Sequence, residues 1–153
     1  GKGVPEILEQ FREYEWRTRY RARRELHDRP AAEVLPAVKD WVAKLDPADP
    51  AFDRLRCEAL WVQQGHHAVD AAVLTAVLAS KEPKARAAAV HILSDERDRV
   101  PGALDRLKAA ATDEHPRVRT EAVRALSFYP QPDAVGAVLA AAKKPMDNWT
   151  RYT

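Results

Sequence analysis

The chain has 153 residues, 46% of them apolar and 31% charged, with a net charge of +2. That balance excludes a disordered chain, and no apolar run approaches the roughly 18 residues needed to span a bilayer, so no membrane insertion is expected. One cysteine, Cys57, excludes an internal disulfide framework and a CxxC motif alike. The length fits a single domain covering residues 1–153, and the opening "GKGVPEILEQ", with neither an initiator Met nor a signal-peptide core, reads as a cut from a longer protein.

Proline divides the chain into segments rich in Ala, Leu, Val and Arg, with almost no internal glycine. After a short turn at 5–12, the spacing predicts helices near 16–28, 31–45, 51–64, 68–79, 83–94, 101–111, 116–128 and 132–143. Pro83, Pro101, Pro116 and Pro132 each stand where a helix would begin, a place that suits a residue without an N–H. Pro36 is the exception, and should kink its helix or mark its true start. No stretch supports a strand, so the fold class is all-α.

The helices repeat. "EPKARAAAVHIL" lies over "HPRVRTEAVRAL" at a shift of 33 without gaps, matching Pro83, Arg86, Ala89, Val90 and Leu93 to Pro116, Arg119, Ala122, Val123 and Leu126. "RLRCEAL" lies over "RVRTEAV" at a shift of 63, and the opening stretch aligns only Arg19, Ala22 and Leu26. Each matched helix is followed by a less charged one, giving about four helical hairpins. Helices as apolar as "AVDAAVLTAVLA" and "AVGAVLAAA" must be covered on more than one side, which stacking achieves. The expected architecture is an α-solenoid, or α-α superhelix.

"DEHPRVRTEAVRAL", followed by a short loop and an Ala/Val/Leu helix, resembles a HEAT-like repeat of the phycobilisome-lyase type, across nearly the whole chain. More narrowly, "RTRYRARREL", "EALWVQQGHHAVD", "ARAAAVHILSD", "HPRVRTEAVRALSF" and "PMDNWTRYT" together resemble the HEAT-repeat region of membrane-bound-type dehydrogenases of planctomycetes and verrucomicrobia. In that family a sugar-dehydrogenase-like β-propeller precedes the helical region and a c-type cytochrome module follows it. This chain carries neither, and its end, "PMDNWTRYT", reads as the start of a fifth repeat. The resemblance implies a non-enzymatic, cofactor-free scaffold and protein-protein interaction module that spaces dehydrogenase and cytochrome parts, in an extracytoplasmic or periplasmic location. Its partners would be other domains of the parent chain or a separate protein.

Residues 1–29 carry eight Lys/Arg against six Asp/Glu, and the rest of the chain is neutral. Helical spacing pairs Glu13 with Arg17, Glu15 with Arg19 and Glu25 with Arg29, so much of this basicity is expected to be internally matched. Arg17, Arg21, Arg23 and Arg24 are the candidate interaction surface. Arg19, Arg56, Arg86 and Arg119 recur at equivalent positions and form a candidate structural ladder, bonding loop carboxylates or helix-end carbonyls between neighbouring hairpins. The alternative is a nucleic-acid module similar to HEAT-like alkylpurine DNA glycosylases; the second helices lack a cationic track, which makes nucleic acid the weaker partner class. His66, His67 and Asp70 in "GHHAVD" are read as a polar loop and cap rather than a metal site, His91 with Asp95 as a helix-end pair, and Cys57 as a buried side chain. The tryptophans are read as fillers between helix layers rather than stacking platforms.

Overall fold

The computed structural model describes residues 1–146, and the expected fifth repeat, with Trp149, lies outside them. The described residues form nine α-helices and one short 3₁₀ helix, with no strand. The fold class is all-α, an α-solenoid type assembled from helical hairpins. The chain divides into two compact units, residues 1–73 and the described residues from Leu74 on.

The first unit contains α1 (Val4–Glu9), the 3₁₀ helix Gln10–Arg12, α2 (Trp16–His27), α3 (Ala31–Ala43) and α4 (Phe52–Gly65). What the sequence presents as a short turn is a working part of the core. Val4, Ile7, Leu8 and Phe11 fall at i, i+3, i+4 and i+7, and all four are buried. They meet Ala22 and Leu26 of α2, Val34, Val38 and Trp41 of α3, and Leu55, Ala59 and Val62 of α4 in one cluster. The Trp41 ring packs 5.9 Å from that of Phe11, and its Nε1 donates to Glu9 at 2.8 Å, so the indole is held at both its apolar and its polar end. α1 packs on α3, and α2 on α4.

Helix α3 begins at Ala31 and runs through Pro36, which therefore does not mark its start. The proline removes the bond that residue 36 would donate to Ala32, but both residues are exposed and water can satisfy the freed carbonyl. Helix α5 (Ala71–Leu78) starts three residues later than the spacing predicts. His67 adopts a left-handed φ of 53°, and Asp70 takes the cap position, its Oδ1 accepting from Ala72 and Val73 N–H at 2.8 and 3.1 Å. The boundary between the units falls within this helix.

The second unit holds the end of α5 with α6 (Pro83–Asp95), α7 (Ala103–Ala110), α8 (Pro116–Leu126) and α9 (Pro132–Ala142). Pro83, Pro116 and Pro132 each occupy the first helical turn. Pro101 does not: α7 starts at Ala103, because Gly102 takes φ +70° and acts as the cap. α8 packs most extensively on α6, and also on α7 and α9, so first helices neighbour first helices and second neighbour second. Helix α9 was expected to be covered on more than one side, yet Val135 and Leu139 are exposed. It is the last described helix, and among the described residues of the unit it packs chiefly on α7 and α8.

Candidate interaction surface

Three of the four repeated arginines make the same connection. Arg19 Nη1 donates to the carbonyls of Glu13 and Tyr14 at 2.8 and 2.5 Å; Arg86 Nη1 to Ser80 and Lys81 at 2.9 and 3.3 Å; Arg119 Nη1 to Asp113 and Glu114 at 2.9 and 2.8 Å. Each arginine is the fourth residue of its helix, and each bonds the two residues just ahead of the cap. The caps also repeat: Glu15, Glu82 and His115 each accept, through the side chain, from the N–H two residues on. Carbonyls in a turn that points away from the helix have no backbone donor, and a guanidinium fork reaching back from the first turn supplies one.

Two of these arginines also reach forward, to the loop after their own hairpin. Arg86 forms a two-pronged pair with Asp113, Nε to Oδ2 and Nη2 to Oδ1, both at 2.8 Å, and Arg119 Nη2 donates to the Pro145 carbonyl. Burial alone would raise the Asp113 carboxyl, but the Arg86 hydrogen bonds, the His115 N–H and the Arg86 charge outweigh it and hold it below the usual range. Arg19 instead approaches Glu58 of α4, Nε to Oε1 at 3.3 Å.

Arg56 departs from the pattern. α4 begins at Phe52, so Arg56 is the fifth residue of its helix and the fork is turned by about 100° away from the loop. It pairs with Asp53 and lies over the Phe52 ring at 4.4 Å from its centroid.

Helix α2 sorts the basic run into two populations. Arg23 is half-buried, its Nε 3.5 Å from Glu58 Oε2 and its guanidinium 5.0 Å from the Trp61 ring centroid. That oxygen lacks a hydrogen bond of good geometry, and Glu58 is buried, so desolvation lifts its carboxyl above the usual range against the pull of Arg23, Arg19 and Arg54. Arg17, Arg21 and Arg24 are exposed.

The pairing expected for this run is only partly present. Glu25 meets Arg29 at 2.8 Å. Glu13 and Glu15, however, precede the helix: Glu13 is extended, with ψ 141°, and Glu15 is the cap, its carboxylate accepting from Arg17 N–H and the Thr18 hydroxyl. An i,i+4 pair needs both residues in the helix, so the relations of Glu13 to Arg17 and Glu15 to Arg19 do not form.

The cap turn exposes aromatic side chains, among them Trp16, which was expected to fill space between helix layers. Tyr14 is 98% exposed, Trp16 61% and Tyr20 47%. The Trp16 and Tyr20 rings stand 6.3 Å apart, and the Arg17 guanidinium lies 5.9 Å from the indole centroid. Beside them opens a cleft of about 400 Å³ lined by Arg12, Tyr14, Trp16, Arg19 and Arg54. Trp41 is a core filler and Trp61 is half-buried, but Trp16 points outward. The available signal was its position: the first residue of a helix whose buried line, Ala22 and Leu26, does not include it.

The remaining candidates are tied into local structure. His66 Nε2 lies 3.1 Å from the Leu26 carbonyl, while Asp70 caps α5. No group of three or more His, Cys, Asp or Glu among the described residues is placed to hold a metal ion. His91 has Asp95 at 3.6 Å and Glu121 at 3.1 Å, the latter on the adjacent first helix. Cys57 is buried, and desolvation, reinforced by Asp53 and Glu58, pushes its thiol up to about 12. The folded protein is therefore expected to resist iodoacetamide at pH 8, with full reaction on denaturation; comparable rates in both states, read by mass spectrometry, would contradict this environment.

Among the described residues no helix is long and apolar enough to cross a membrane. No curated protein and no solved structure matches the chain. The family model for HEAT repeats matches residues 71–153, just over half the sequence, and covers the second unit with its paired first and second helices and its Arg86 and Arg119 connections. The chain belongs to the HEAT repeat family.

Proposed function

We propose that this chain is a non-catalytic helical-repeat scaffold that holds protein partners at a fixed spacing. The observation that carries the reading is the double reach of Arg86 and Arg119. Each ties the loop before its helix to the loop after its hairpin, so repeat spacing is set by directed, charge-assisted bonds as well as by apolar packing. HEAT repeats typically serve as interaction modules, and the exposed arginines and aromatics of α2 have the composition of protein contact residues. In the finer form of this proposal, the partners are the dehydrogenase and cytochrome parts of a larger protein. Its support is the sequence resemblance of segments such as "RTRYRARREL" and "HPRVRTEAVRALSF", and a propeller and a CxxCH motif in the flanking gene sequence would be its mark.

The test is photo-crosslinking of the whole chain, carrying a photoreactive residue at the exposed position 139, in extract of the source cells. Discrete protein adducts that unlabelled chain competes away are expected. An absence of competable protein adducts at this and other exposed positions would overturn the scaffold reading.

A further inference from the structure

The exposed side of α2 is a bounded strip. Arg17, Arg21 and Arg24 stand at i, i+4 and i+7, all exposed, and span about 10 Å of helix. Trp16 and Tyr20 run alongside, and Tyr14 and the cleft close one end. Exposed carboxylates flank the strip on both sides: Glu13 and Glu15 before the helix, Glu25 and Asp28 at its far end.

We propose that this strip docks a short acidic segment of a protein partner, whose carboxylates lie along Arg17, Arg21 and Arg24 and whose aromatic or apolar side chain rests against Trp16 in the cleft. The inference deepens the scaffold reading and rests on it. Charge complementarity fixes the sign of the partner, and guanidinium forks suit carboxylates because two parallel N–H bonds reach both oxygens. The aromatics fix its kind. Trp, Tyr and Arg are the residues that carry most of the binding energy at protein interfaces, where a large ring buries area at low entropic cost. The flanking carboxylates fix its length. A continuous phosphate backbone would run from three cations into Glu13 and Glu15 at one end and Asp28 at the other, whereas a segment with two or three acids ends before it meets them. Nucleic-acid affinity also grows with the number of phosphates neutralised, and beyond these three the arginines of the cleft are already engaged, Arg12 by Glu9 and Asp49, Arg19 by Glu58 and the Glu13 and Tyr14 carbonyls, and Arg54 by the Phe11 carbonyl.

Fluorescence anisotropy with the whole chain distinguishes the possibilities. The probes are a fluorescein-labelled glutamate-rich peptide carrying one tyrosine, the same peptide with lysine for glutamate, and oligothymidylate. The glutamate peptide is expected to bind at low salt and weaken as salt rises. The triple variant Arg17→Ala, Arg21→Ala, Arg24→Ala should bind it about tenfold or more weakly, since each lost charge-assisted contact costs several-fold. Trp16→Ala should weaken it several-fold, and Arg117→Ala, which removes an exposed arginine of the second unit, should leave it unchanged. Reversal of all three arginines to glutamate should transfer preference to the lysine peptide, a result that a merely structural role for these side chains does not produce. The proposal is overturned if the glutamate peptide fails to bind at low salt, if oligothymidylate binds more tightly than it, or if the triple alanine variant and Arg117→Ala lose affinity equally. Loss of peptide binding with the crosslinked adducts intact would remove this surface alone and leave the scaffold reading standing; loss of both would remove the scaffold reading too.

Discussion

Removal of residues 113–153 is expected to abolish cooperative unfolding of the second unit while the first unit keeps its own transition. The deletion takes away α8 and α9. Helix α8 brings Val118, Ala122, Ala125 and Leu126 into the core, and packs against α6 and α7, whose buried members include Val90, Ile92, Leu93 and Leu107. Fully burying one large aliphatic side chain is worth about 1.5–3 kcal/mol, so uncovering even part of these four forfeits about 5 kcal/mol or more. That is comparable with the whole stability of an ordinary domain, roughly 5–15 kcal/mol. The truncation also strips the Asp113 carboxylate from Arg86, leaving that fork with the Ser80 and Lys81 carbonyls alone. Circular dichroism and hydrogen exchange read the outcome: α6 and α7 should lose protection, and the helical signal should fall by more than the deleted residues contribute. Protection of α6 amides at the level of the intact chain would show that its hairpin is stable without the next repeat, contrary to nearest-neighbour stacking.

Much of this organisation was legible because it is local. Proline at the first helical position, a cap residue before it and an arginine three residues after it form a short, gap-free pattern, and the shift of 33 between Pro83 and Pro116 carries all three parts. The departures come where one residue changes the phase. Arg56 aligns with Arg119 by sequence, but α4 starts one residue earlier relative to its arginine, and a single residue rotates a helical side chain by about 100°. Glu13 and Glu15 have the right spacing for ion pairs but lie on the wrong side of a helix start, and boundaries are less determined by periodicity than interiors are. Helix α1 is short enough to read as a turn, and tertiary contacts show why it is ordered: Val4, Ile7 and Leu8 are buried in the cluster with α2, α3 and α4, and Glu9 accepts from Trp41. The candidate surface was half visible. The arginine run was plain, but the outward turn of Trp16 and the inward turn of Arg23 toward Glu58 depend on α4, which lies far along the chain.

Arg119→Ala is expected to destabilise the second unit by about 3 kcal/mol, the largest single-residue effect among the repeated arginines. Its side chain is 2% exposed, and it donates to three carbonyls, those of Asp113, Glu114 and Pro145. Truncation leaves those acceptors short of a donor in a poorly hydrated site, at a cost of roughly 1–3 kcal/mol for each buried group that stays unsatisfied. Part of this is offset, because Arg119 Nε is itself buried without a hydrogen-bond partner among the described residues and its desolvation is relieved when the side chain is removed. Arg86→Ala should cost less, since its pair with Asp113 is partly solvated and water can replace the guanidinium. Arg119→Lys separates charge from geometry: Arg119 bonds the Asp113–Glu114 turn through Nη1 and Pro145 through Nη2, and a single ammonium nitrogen keeps the positive charge but cannot reach both sides at once. Chemical denaturation should therefore rank the second unit as wild type, then Arg86→Ala, then Arg119→Lys, then Arg119→Ala. A lysine variant as stable as wild type would mean that charge alone holds the turn, and the repeated fork would lose its role in setting the repeat.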